Sequence, residues 1–118
     1  MALKCLVKVN AINNLSDARY CAGMGVDLLG YRLDPGMEDA MDLNNFREIN
    51  EWVAGIQTVG EYGNAEAATI MRADALFHTD YIEYSRPELT HDLKSMNRPL
   101  ILTLYLDDLK VSDLNSTL

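Results

Sequence analysis

The chain has 118 residues, 48% of them hydrophobic and 24% charged, which suits a single domain (1–118) with a real core and leaves no room for a second. A formal net charge of -8 gives a surface that repels phosphate backbones, so no nucleic-acid partner is expected. No apolar run reaches the ~20 residues of a membrane span, and "MALKCLVKVN" lacks the apolar centre of a signal peptide, so the expectation is a cytoplasmic protein without a membrane partner.

The first strand is read over Leu3 to Val9, where Lys4, Leu6, Lys8 and Asn10 share one face and Leu3, Cys5, Val7 and Val9 the other. Asn14 suits a helix N-cap, with Asp17 in the first turn and Leu15, Ala18, Cys21 and Ala22 as the apolar stripe. Gly25 is placed to end that helix. Leu28 to Leu33 reads as a second strand before the turn "DPG". Asp42 or Asn44 caps a second helix with the stripe Leu43, Phe46, Ile49 and Val53, and Gly55 stops it.

"IQTVGEY" from Ile56 is a third strand, Asn64 is expected to cap a third helix "AEAATIMRA", and "DALFH" from Asp74 reads as a fourth strand. "SRPE" at Ser85 to Glu88 resembles a capping box, opening a helix through Leu89, Leu93 and Met96. "LILTLYL", Leu100 to Leu106, is a fifth strand, apolar enough to be covered on both faces.

Five strands alternating with four helices imply a parallel sheet with right-handed crossovers. An open doubly wound sheet and the first part of a (β/α)₈ barrel both fit this order. In either, ligands meet the carboxyl ends of the strands. The residues to weigh there are Asn10, Arg32, Asp34, Glu61, Tyr62, His78, Thr79, Tyr105 and Asp107. Arg32 and Asp34 alternate on one face and suit an ion pair or a solvated rim. His78 and Asp80 in "HTD" are too few ligands for a closed zinc site, so no metal is expected. "GMG" at Gly23 to Gly25 ends a helix instead of opening one, so it is no dinucleotide signature, and no cofactor is expected. Cys5 and Cys21 read as reduced, packed thiols.

"KVNAINNLSDARYCAGMGVDLLGYRLDPG" resembles the opening of the phosphoribosylanthranilate isomerase family, (β/α)₈ barrels of tryptophan biosynthesis. The family's first strand reads Lys-Ile-Cys-Gly-Ile-Thr, and Lys8 to Asn13 fall on it. Asp17, Gly25, Asp27, Gly30 and Tyr31 fall on the next motif. "GIQTVGEYGN" is similar to the family's third strand, and "DALFHTD" to its fourth, Asp-x-x-Gln-Leu-His-Gly. The resemblance implies a partial (β/α)₈ barrel and, as the family reaction, an Amadori rearrangement of an aminoribose phosphate.

The departures from the family pattern concern the chemistry. The resemblance places Asn10 where the family has its cysteine base, and an amide cannot abstract a proton. It places Leu76 at a glutamine, Tyr105 at a fifth-strand arginine, and Glu38 and Asp39 near a phosphate-binding arginine. The family's acid and phosphate loops belong to later strands. The expectation is therefore a protein related to the isomerase and not catalytically competent in this form. It would bind a small anionic or phosphosugar ligand through Asn10, Arg32, Asp34, Tyr62, His78 or Tyr105. Two other readings stand beside it. One is a self-associating half-barrel module, expected if the chain ends at Leu118 and leaves apolar sheet edges open. The other is an enzyme with shifted chemistry, using His78 or Glu61 as base.

Overall fold

The computed structural model describes residues 6–53 and 55–104. Five parallel strands lie in the order of the chain: β1 (Lys8–Val9), β2 (Leu28–Arg32), β3 (Gln57–Glu61), β4 (Tyr81–Tyr84) and β5 (Leu100–Leu102). They are linked by helices α1 (Leu15–Gly23), α2 (Leu43–Trp52), α3 (Ala67–Phe77) and the short α4 (Thr90–Leu93). This order separates the two architectures. A doubly wound sheet reverses direction at a switch point and puts helices on both faces. Right-handed crossovers between strands in strict sequence put every helix on one face, which is how a (β/α)₈ barrel begins.

The outer face of the strands confirms it. Leu29, Tyr31, Leu33, Ile82 and Tyr84 alternate with inward residues and are buried with Phe46, Ile49, Ile70 and Leu93 of the helices in one core. Tyr31 meets Phe46 edge-on at 5.0 Å, and Phe46 meets Phe77 at 5.3 Å. Fully burying a side chain of this size gains about 1.5–3 kcal/mol, so this layer supplies most of the apolar stabilisation. Among the described residues, no helix is long and apolar enough to cross a membrane.

Local signals set the first helices. The Asn14 side chain accepts from the Asp17 N–H at 2.8 Å and the Asp42 side chain from the Asn45 N–H at 2.8 Å, so both expected caps form. Gly25 follows α1 with φ +80°, the left-handed geometry that glycine adopts without strain.

The second half differs from the expectation. "DALFH" is not a strand: α3 runs on through Phe77, because Ile70, Ala73, Asp74 and Phe77 hold helical spacing against the core. His78 ends it in the left-handed region at φ +52°. The fourth strand is Tyr81–Tyr84 instead. Asn64 does not cap α3, whose N-cap is Glu66; the Asn64 side-chain oxygen accepts from the Ser85 hydroxyl at 2.7 Å. That bond occupies Ser85, and no capping box forms at Pro87. The expected fourth helix is one α turn between two 3₁₀ turns. β5 is half-buried over Leu100–Leu102, so it is not covered on both faces as expected. Cys5, Tyr105 and Asp107 lie outside the described residues.

Candidate functional site at the strand ends

The inner face of the sheet carries a polar cluster built from β1, β3 and β4. Lys8 of β1, Glu61 of β3 and Glu83 of β4 project to the same side, and Glu61 and Glu83 are register partners. Two neighbouring carboxylates repel. The Lys8 ammonium lies between them, 2.5 Å from Glu61 Oε2 and 3.1 Å from Glu83 Oε1. It also donates to the Asn10 side-chain oxygen. Glu61 accepts in addition from the Ala11 N–H at 3.0 Å, which Ala11 presents from the left-handed region at φ +56°.

Gly30 of β2 is what makes room. A Cβ there would lie 2.1 Å from Glu61 Oε2 and 3.1 Å from Lys8 Nζ, so any side chain would occupy the space of the ion pair. Arg32, last in the same strand, reaches Asp39 at 2.6 Å over a half-exposed rim. Asn10, Arg32, Met37, Glu61, Gly63 and Glu83 then line a cavity of about 150 Å³ at the carboxyl ends of β1 to β4. Among the described residues, Arg32 is the one cation in this lining and Glu61 and Glu83 its two carboxylates; Arg32 is already paired with Asp39, and both glutamates with Lys8. Such a lining offers donors and acceptors to hydroxyl groups and no unpaired cation to a phosphate.

The structure distributes the expected residues unevenly. Asn10 and Arg32 meet in this cavity, and Glu61, weighed as a base, is there too. Both Glu61 oxygens are engaged, one by Lys8 and one by Ala11, which makes it a clamp between β1 and β3. Asp34 does not pair with Arg32; its carboxylate takes the Gly36 N–H at 3.0 Å and shapes the turn after β2. Tyr62 is fully buried in the outer core, away from the cavity. Burial drives its phenol well above the usual tyrosine range, Asp74 adds to the rise, and Arg98 opposes it.

His78 sits at the opposite end of the sheet, between α3 and β4, because the fourth strand begins after it. There the Arg98 guanidinium joins His78 Nδ1 at 2.8 Å and Asp74 Oδ1 at 3.1 Å, and donates to the Thr79 carbonyl. Asp80 is taken by Thr58, accepting from its N–H at 2.8 Å. Among the described residues, no three His, Cys, Asp or Glu side chains converge as a metal site would require. Lys8 and Glu83 were not singled out by the sequence reading. Their signal was the period-2 alternation of the strands, obscured for Glu83 by the misplaced fourth strand.

The geometry defines a partial (β/α)₈ barrel with a polar site at the carboxyl ends of its strands. Solved structures bear out the fold. The chain is similar to a phosphoribosyl anthranilate isomerase from Thermus thermophilus, with a TM-score of 0.72 and 22% identity over 83% of this chain and 50% of that one. It is similar to N-(5'-phosphoribosyl)anthranilate isomerase from Pyrococcus furiosus, with a TM-score of 0.73 and 18% identity over 96% of this chain and 59% of that one. A phospho-2-dehydro-3-deoxyheptonate aldolase from Thermotoga maritima is similar at a TM-score of 0.57 and 14% identity, over 82% of this chain and 32% of that one. The chain thus spans less than two-thirds of the length of these enzymes. No protein-family model and no curated protein sequence matches it.

Proposed function

We propose that this chain carries the first half of a phosphoribosylanthranilate isomerase-like barrel, does not catalyse the isomerisation by itself, and binds the hydroxyl-bearing part of a small phosphosugar at its strand ends. The observation that carries this reading is Asn10. It stands at the carboxyl end of β1 in the strand-end cavity, with an amide where the resemblance puts a cysteine base. Glu61, a carboxylate in the same cavity, is held by an ammonium and a backbone N–H. The phosphate of such a ligand finds no free cation in the cavity. In barrels of this kind that role falls to loops after the seventh and eighth strands. Expression in a tryptophan auxotroph lacking the isomerase tests the reading: no growth without tryptophan is expected, and growth would refute it.

A second reading, self-association through the sheet edge, is favoured by one observation. Leu6 and Val7 beside β1 are 70% and 48% exposed, and β1 has a single neighbour among the described strands. Light scattering at micromolar concentration tests it, since a monodisperse monomer would exclude it.

A further inference from the structure

A second cavity, of about 340 Å³, lies in the outer layer between the β2–α2 connection and α3. Leu33 and Met41 form one wall, and Ala73, Leu76 and Phe77 the other. The Phe77 ring is fixed from behind by its edge-on contact with Phe46. Leu76 is 61% exposed, a large apolar side chain at the mouth of the cavity. The volume falls within the range of small-molecule pockets. At about 30 Å³ per water-sized unit it holds roughly ten non-hydrogen atoms.

Arg72 is the single charged side chain in the lining. It is exposed and makes no ion pair among the described residues. Three acids of the two wall segments are already engaged. Asp34 caps Gly36, Asp39 holds Arg32, and Asp74 holds Arg98. Glu38 is exposed and contributes nothing to the lining. Thr69, one turn before Ala73 on the same face of α3, adds a hydroxyl. The site is thus an apolar slot with an unpaired cation at its edge.

We propose that this cavity binds an amphipathic monocarboxylate, with its alkyl or aryl body between α3 and the β2–α2 connection and its carboxylate on Arg72. The guanidinium donates to the carboxylate oxygens, and the body displaces water from Leu33, Met41 and Phe77. This site shares no lining residue with the strand-end cavity and does not depend on the function assigned to it.

Titration of the full chain with octanoate and with octan-1-ol, followed by amide NMR and calorimetry, tests the proposal. Both molecules fit the cavity, and only one carries the charge. Octanoate is expected to shift amides across residues 69–77 and 33–41 and to bind about tenfold more tightly than the alcohol, as one charge-assisted contact gives. Arg72→Gln removes that advantage and leaves octanol binding unchanged. Leu76→Glu weakens octanoate more than octanol. Both positions are exposed, so both variants keep the fold, which circular dichroism checks. Equal affinity for acid and alcohol, an unaltered octanoate affinity in Arg72→Gln, or no shifts in these segments up to about 1 mM would overturn the proposal.

Discussion

Replacing Gly30 by alanine places one methyl group against the ion pair that defines the strand-end site. The new Cβ would lie 2.1 Å from Glu61 Oε2, 2.7 Å from Glu61 Cδ and 3.1 Å from Lys8 Nζ. Glu61 must swing away, and it then loses its bonds to Lys8 and to the Ala11 N–H. Hydrogen bonds to charged groups contribute about 1.5–3 kcal/mol each, and Lys8 keeps its existing bond to Glu83. A net loss of about 3 kcal/mol is expected, on the order of 15 °C in Tm. Equilibrium urea unfolding measures it. Gly23→Ala is the control, since a Cβ there meets nothing within 4 Å and its effect should stay below about 1 kcal/mol. In a Glu61→Ala background the Gly30→Ala penalty should shrink to under about 1 kcal/mol, because the overlap is gone. The same penalty in both backgrounds, or none in the wild type, would refute this account of Gly30.

Lys8→Met leaves Glu61 and Glu83 facing each other without a counter-charge; a loss of about 3 kcal/mol in urea unfolding is expected, and Glu83→Gln in the same chain should restore part of it. Burial raises the Tyr31 phenol to about 12, with Cys21 adding to it, and raises the fully buried Tyr62 phenol as well. The folded state therefore keeps protons that the unfolded chain releases above pH 10. The stability these phenols contribute is complete below pH 10 and falls above it, by about 1.4 kcal/mol per pH unit for each. Phenolate absorbance of these two should appear together with loss of circular dichroism, whereas ionisation well before unfolding would count against their burial. His78→Asn keeps the left-handed backbone tolerable and should leave ribose 5-phosphate affinity within about twofold, while Glu83→Gln should change it by about fivefold or more.

Much of the first half was legible in the sequence because local chemistry and tertiary packing agree there. Asn14 and Asp42 are caps by residue type and caps in fact, and Lys8 and Asn10 share a face as strict alternation requires. The fourth strand was misread because Leu76 and Phe77 supply adjacent apolar residues that mimic a short buried strand. Phe77 in truth continues the helical stripe of Ile70 and Ala73, and tertiary burial of that stripe decided the outcome. The error carried His78 to the wrong end of the sheet and hid Glu83. Asn64 has the residue type of a cap and is diverted by Ser85, a partner 21 residues away that no local rule could supply. The space above Gly30 was equally invisible, since it depends on where Glu61 comes to rest.

The most direct test is an amide NMR titration of the full chain with ribose 5-phosphate. Shifts at Asn10, Ala11, Glu61, Gly63 and Glu83 are predicted, around the strand-end cavity. Shifts confined to His78, Thr79, Asp80 and Arg98 at the other end of the sheet, or none anywhere, would contradict a sugar-binding site built on Asn10 and the Lys8 cluster.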